Sequence, residues 1–213
     1  MRYTFAILTF LIFINSVFPQ NQDSTSFNDL IKTKVMDSSS LYYYPNLLRK
    51  IKQKPSEIKI SEIYYLYYGR IFQSDYHFIS LTDDQKAFRK AIMNGNRKKA
   101  IKLGTKVILN SPMDLTTILH LSICMKEENI LDTINYVDLR YRLLLDAILS
   151  TGNGKCKESA IKVINIDDES VIKGAIGFLG GKTYLTGGNN HAYDVWEVEG
   201  KKLYFELIIE VKQ

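Results

Sequence analysis

Cysteine, histidine and tryptophan are scarce in this chain, with two, three and one among 213 residues. His77, His120 and His191 stand far apart, and none is expected to have a second ligand at helical or turn spacing, so no metal site is predicted. Charge of one sign is lacking too. Lys and Arg number 28 against 23 Asp and Glu, a net +5 spread along the chain. Nucleic-acid binding calls for a concentrated basic stripe. The densest run, Arg97-Lys98-Lys99, starts a helical pattern and reads as a solvated face, so no nucleic-acid partner is expected. A phosphate loop is also missing. "GAIGFLGGKTYL" ends in Gly181-Lys182-Thr183, but the G-x-x-x-x-G-K-[ST] spacing wants glycine where Ile176 stands. The "TYLTGG" that follows is strand-like, not a helix whose N-terminus could hold phosphate. These glycines serve a tight turn, and no cofactor is expected.

What is present begins with "MRYTFAILTFLIFINSVFPQ". Arg2 precedes an uncharged apolar stretch from Tyr3 to Phe18, then Pro19 and a polar run, the layout of a secretory signal peptide over residues 1–20. The stretch falls short of the ~18–20 residues of a membrane span. No A-x-A site precedes "NQDS", so cleavage falls somewhere between Ser16 and Asn21, and no cysteine follows to carry a lipid. An uncleaved N-terminal anchor is the alternative. Export to the periplasm or beyond is the expectation, with no membrane span in the mature chain. An oxidising compartment permits a Cys124–Cys156 disulfide. Cys124, however, lies on an apolar helical pattern, where a free cysteine behaves as a small buried hydrophobe.

From Ser26 to Ser150 the apolar spacing is helical. Ser26 caps the first helix, Pro45 opens the second, Ser61 is expected to cap the third, and Thr82 with Gln85 forms a capping box for the fourth. "NRKKAIKLGTKVILNSP" and the segment after it resemble one to one and a half tetratricopeptide units, with Ala100 and Pro112 at suitable spacing. That is too few for a free-standing solenoid, so the helices must pack on something else. "STGNGKCKES" marks a boundary, giving a helical region 21–150 and a small α/β region 151–213 within one domain. Beyond it, "AIKVINI", "KTYLTGG", "YDVWEVEG" and "KKLYFELIIEV" read as strands, and "DDESVIKGAIGF" as a short helix capped by Asp167 or Asp168. Glu199-Gly200 is a hairpin signal. The fold class is α+β, a helical front packed on a small C-terminal antiparallel sheet.

Few residues suggest chemistry. Cys156, His191 and Asp194 supply the types a thiol hydrolase would need, but Cys156 lacks a helix start to activate it, and His191 sits in a turn-like "GGNNHAYD". Asp83-Asp84 and Asp167-Asp168-Glu169 lie in first turns of helices, where acids complement the macrodipole. Neither set is expected to place two carboxylates in distinct environments, as acid/base work requires. No catalytic activity is assigned. "IYYLYYGRIFQSDYHF" is the most unusual stretch. On a helix, Tyr64, Tyr67, Tyr68, Ile71 and Phe72 share one face, with Ile63 and Leu66 beside them. A seam between this helix and another layer is the preferred reading. A ligand groove using Tyr67, Tyr76 and His77 is the alternative. Gly69, costly inside a helix, suggests close approach of another backbone.

"SSLYYYPNLLRKI", "LYYGRIFQSDY", "LDAILSTGNGKCKESAIKVI" and "YDVWEVEGKKLYFEL" together resemble the DUF4919 family, an uncharacterised group found mainly in Bacteroidetes. The resemblance covers most of the mature chain in order. It implies an exported envelope protein and brings no activity, substrate or site residues. The chain departs at Cys156, in a stretch that is acidic or polar in the family, which weakens the thiol-enzyme idea further. The function expected is a non-catalytic protein- or peptide-interaction module with an envelope partner. The alternatives are a hydrolase acting on a cell-wall or glycan component and a small-ligand-binding protein using the tyrosine-rich region.

Overall fold

In the computed structural model the described residues are 26–76, 80–188 and 191–209, without the side chains of Leu131, Asp132 and His191. The signal-peptide segment and His77 lie outside them. Local capping rules set most helix starts. Ser26 Oγ accepts from the Asp29 N–H at 3.2 Å and starts α1, Phe27–Met36. Pro45 stands in the first turn of α2, Tyr44–Gln53. The third helix, α3, spans Ile60–Tyr68 and tightens into a 3-10 turn at Gly69–Phe72. Its cap is Lys59 rather than the expected Ser61. The Glu62 carboxylate accepts from the Lys59 N–H at 2.8 Å while also pairing with Lys50 at 2.8 Å, so the helix starts earlier.

Thr82 and Gln85 make the expected capping box of α4, Asp83–Met93. Short turns then lead through α5, Arg97–Asn110, α6, Leu115–Glu127, and α7, Leu131–Leu149, each packed on the one before. After α7 come β1, Ile161–Val163, and α8, Ile166–Ala175, followed by β2, Lys182–Gly188, β3, His191–Val198, and β4, Lys201–Leu207. Asn165 caps α8 in place of the expected Asp167 or Asp168. Its Oδ1 accepts from the Asp167 N–H at 3.0 Å, and the Asp168 carboxyl is engaged elsewhere, as described below.

The sheet order is β1-β4-β3-β2. β2, β3 and β4 are antiparallel as expected, but β1 runs parallel to β4, so the sheet is mixed. The chain leaves β1 through α8 and two strands before β4 returns beside it, a crossover that permits parallel pairing. Glu199 at φ 50° and Gly200 at φ 77° both sit in the left-handed region, as a two-residue type I′ hairpin requires. Lys182 opens β2, so no helix follows the Gly-Lys-Thr sequence.

The aromatic stripe is the seam between α3 and its neighbours. Tyr67 and Tyr68 are fully buried and join one core with residues of α1, α2, α6, α7, α8, β1 and β4. Phe27 meets Tyr68 edge-on at 5.1 Å, and Tyr42 stacks on Tyr65 at 4.1 Å. A Cβ on Gly69 would lie 2.8 Å from Val35 Cγ1 and 3.0 Å from Tyr44 Cδ2. The approach that requires glycine is therefore made by side chains, not by a second backbone. Ala100 belongs to a smaller cluster with Phe88, Ala91, Val107 and Cys124.

Candidate functional site

The aromatic helix ends at the wall of a cleft of about 170 Å³. Arg70, Asp75 and Tyr76 reach it from the segment after α3, and Thr82, Gln85 and Arg89 from the start of α4. Met113, Asp114 and Thr116 come from the start of α6, and Ile164, Asn165, Asp167 and Asp168 from the β1–α8 corner. The N-caps of three helices, Thr82, Asp114 and Asn165, thus meet at one place. Each cap fills its own helix end, and Asp114 also accepts from Gln85 Nε2 at 2.5 Å, tying α4 to α6.

Two ion pairs edge the cleft, Arg70–Asp75 at 2.5 Å and Arg89–Asp167. Asp168 forms its inner wall and is only 4% exposed. Tyr67 Oη donates to Asp168 Oδ2 at 2.6 Å and accepts from the Ile164 N–H at 3.1 Å. Tyr76 Oη donates to the Ile164 carbonyl. Burial pushes the Asp168 carboxyl up to about 8; the Tyr67 hydrogen bond opposes the rise, and Asp114 and Asp167 add to it. Burial likewise raises the hydroxyls of Tyr67 and Tyr76.

One residue further along α8 lies a second buried polar cluster. Trp196 Nε1 donates to Glu169 Oε2 at 2.8 Å. The Lys173 ammonium sits 2.9 Å from the Trp196 ring centroid and donates to the Gly180 carbonyl at 3.1 Å. Glu169 Oε1 meets no donor among the described residues. The Asp194 carboxyl lies near enough to Glu169 to act on it as a like charge. Burial first, and then Asp194, raises Glu169 well above the usual carboxylate range. Burial also lowers Lys173.

Asp167, Asp168 and Glu169 therefore occupy three distinct environments, against the sequence expectation. The helix turns about 100° per residue, and neighbours pack α8 on more than one side. Asp167 faces Arg89, Asp168 faces Tyr67, and Glu169 faces Trp196.

Of the residues singled out from sequence, Tyr67 and Tyr76 come together, on the N–H and carbonyl of the same Ile164. Their rings differ in setting: Tyr67 belongs to the core, whereas Tyr76 lines the cleft. Cys156 and Asp194 are not brought together. Cys156 is exposed, with Sγ 3.2 Å from Ser159 Oγ, and the next residue, Lys157, lies 5.5 Å from the Tyr193 ring centroid. Tyr193 and Asp194 alternate across β3, so the Cys156 loop is on the face opposite to Asp194. The strand β3 starts at His191, whose side chain is outside the described residues. Both cysteines are free thiols.

The expectation that no histidine has a second potential ligand at helical spacing needs correction. His120 and Cys124 are one turn apart on α6 and line a smaller cleft of about 140 Å³ with Arg97 and Glu127. Burial lowers His120 and raises the Cys124 thiol. Among the described residues no three His, Cys, Asp or Glu side chains are placed to hold a metal ion.

The sequence offers no role for Arg70, Arg89 or Asp114, and sets Asp168 and Glu169 aside as first-turn acids. No local signal marks the buried acids, since acids opening a helix have an ordinary place beside the helix dipole. No curated protein and no solved structure matches the chain. Residues 29–211 match the Domain of unknown function (DUF4919), a span that takes in both polar clusters, and on that match the chain belongs to the DUF4919 family.

Proposed function

We propose that the protein is an exported, non-catalytic interaction module that binds a protein or peptide partner by taking one of the partner's residues into the Tyr76–Asp168 cleft. The observation that carries this reading is the cleft's size and lining. At about 170 Å³ it falls below the ~300–1,000 Å³ of pockets that enclose a whole small ligand. It suits a single side chain or a chain end. Its lining offers charged and hydroxyl groups for orientation, and Tyr44, Tyr76 and Met113 for apolar contact. Export rests on the signal-peptide layout of residues 1–20. Against the thiol-hydrolase alternative stands the placement of Cys156 and Asp194 on opposite faces of the sheet.

A photo-crosslinking residue at Ser80, which is exposed on the cleft wall, should yield a discrete adduct with an envelope partner in cells. The same residue at exposed Lys98 on α5 should not. Equal labelling from both positions, or none from Ser80, would overturn the cleft as the binding site. Recovery of the chain only in the cytoplasmic fraction would overturn export.

A further inference from the structure

Among the described residues of the cleft, carboxyl groups outnumber cations. Arg70 is paired with Asp75, and Arg89 with Asp167. Asp114 and Asp168 complete a set of four carboxyl groups against these two guanidinium groups. The donors to Asp114 are the Thr117 N–H and Gln85 Nε2, both neutral. Asp168 has the Tyr67 hydroxyl on Oδ2, and its Oδ1 carries no hydrogen bond among the described residues. The lysines near the start of α4, Lys86 and Lys106, are paired with Asp83 and Asp84. A second observation marks the same wall as having an unfilled polar group. Thr116 Oγ1, on the cleft wall, is buried without a partner among the described residues. The N-termini of α4, α6 and α8 would by themselves favour an anion. These ends are already filled by Thr82, Asp114, Asn165 and the acids of α8.

We propose that the group taken into the cleft is a primary ammonium, a lysine side chain or a free chain N-terminus, with Asp168 as its counter-charge. The inference rests on the reading of the cleft as the partner-binding pocket and names what the pocket recognises. An ammonium is a compact cation with three donors and no acceptor. It matches a wall whose unfilled groups, Asp168 Oδ1 and Thr116 Oγ1, both accept. Guanidinium is a planar fork suited to a carboxylate with both oxygens open, whereas Asp168 Oδ2 is already held by Tyr67.

Binding has a proton balance. Asp168 faces Tyr67 and Tyr68 of α3, Tyr76, Asp114 of α6 and Asp167 of its own helix, with Arg89 of α4 beyond Asp167. Because burial pushes its carboxyl up to about 8, an incoming ammonium at lower pH displaces the Asp168 proton to solvent. Affinity then rises with pH, up to about tenfold per unit between pH 6 and 8, and levels off above.

The test uses the full chain titrated with Nα-acetyl-lysine methylamide, glycinamide and the neutral Nα-acetyl-norleucine methylamide. Binding is followed by calorimetry in buffers of different ionisation enthalpy and by chemical-shift changes at Thr116 and Tyr76. At least one amine probe should bind tenfold or more tightly than the norleucine compound, with release of up to one proton at pH 6.5, and Asp168→Asn should abolish the preference. The lysine and glycinamide arms tell a side-chain amine from a chain terminus. Failure of both amine probes to bind more tightly than the norleucine compound, or binding without proton release, overturns the ammonium and leaves the pocket standing. No shift with any probe overturns the ammonium, and if Ser80 also gives no adduct the pocket falls with it. Should Asp168→Asn fail to fold, the comparison of probes and the proton count on the unaltered chain decide alone.

Discussion

Removing one oxygen from the core should be felt more at Tyr67 than at its neighbour Tyr68. Both rings are fully buried, and in both a phenylalanine would keep the ring packing. The Tyr67 hydroxyl serves two partners, Asp168 Oδ2 at 2.6 Å and the Ile164 N–H at 3.1 Å. The Tyr68 hydroxyl donates to the Lys162 carbonyl at 2.8 Å in a partly buried setting. Tyr67→Phe therefore strands a buried N–H and a buried carboxyl together. At about 1–2 kcal/mol for each group left unsatisfied, the cost is about 2–4 kcal/mol. Tyr68→Phe loses one bond to a partly buried carbonyl, about 1 kcal/mol. For a chain of this length 1 kcal/mol moves Tm by about 2–4 °C, so Tyr67→Phe should lower Tm by roughly 4–16 °C. Urea unfolding at pH 7 with an unchanged m-value would measure both variants. Equal losses for the two, or a Tyr67→Phe loss below about 0.5 kcal/mol, would refute the assignment of Tyr67 as the bridge between α3 and the β1–α8 corner.

Four other outcomes follow from the same structure. Asp168 and Glu169 keep protons in the folded state that they lose near their ordinary pKa when unfolded, so stability should fall as pH rises from about 5 to about 8. Tm measured across that range should show the fall, and Asp168→Asn should remove the Asp168 share of it and leave that of Glu169. Gly152→Ala should prevent folding at 37 °C, because its Cβ would lie 2.3 Å from the Ser159 carbonyl oxygen, whereas Gly174→Ala, with open space at the end of α8, should gain up to about 1 kcal/mol. A thiol reagent should label exposed Cys156 in the native chain and 5%-exposed Cys124 only on unfolding, with no disulfide on a non-reducing gel. Arg140 is half-buried, with Nε enclosed and unpartnered among the described residues, and burial pulls the group down to about 10; Arg140→Met should stabilise by about 1 kcal/mol in urea titration.

The parts of the fold that were legible in the sequence are those fixed by neighbours in the chain. Ser26, Pro45 and Thr82 with Gln85 act within one helical turn, and the Glu199-Gly200 hairpin within two residues. Where the deciding partner is remote, the reading failed. The start of α3 depends on Glu62 pairing with Lys50 on the preceding helix. The parallel direction of β1 depends on β4, more than forty positions later. Asp168 meets Tyr67 across 101 positions, and Glu169 meets Trp196 across 27. An acid in the first turn of a helix has an ordinary local reason to be there, so nothing nearby in the sequence separates a solvated Asp83 from a buried Asp168. The aromatic stripe was readable as a seam from its period alone. That one of its hydroxyls holds the wall of a cleft was not.

The first turn of α8 fastens the helical region to the sheet, and the order of its acids decides which side each serves. Asp168 is held on the helical side, among Tyr67, Asp114 and Asp167, whereas Glu169 is held on the sheet side, among Trp196, Asp194 and Lys173. Both are buried where a charge is costly, yet their companions differ, so a group entering the cleft ionises Asp168 without adding a partner to Glu169. Trp196 is the chain's single tryptophan and accepts a cation on its ring face while donating to Glu169. Its fluorescence therefore reports the sheet-side cluster. Emission should titrate with Glu169 in the alkaline range and stay unchanged when the cleft is filled at constant pH. A Trp196 response to the amine probes would mean that the two flanks of α8 are coupled and that the first turn moves as a unit.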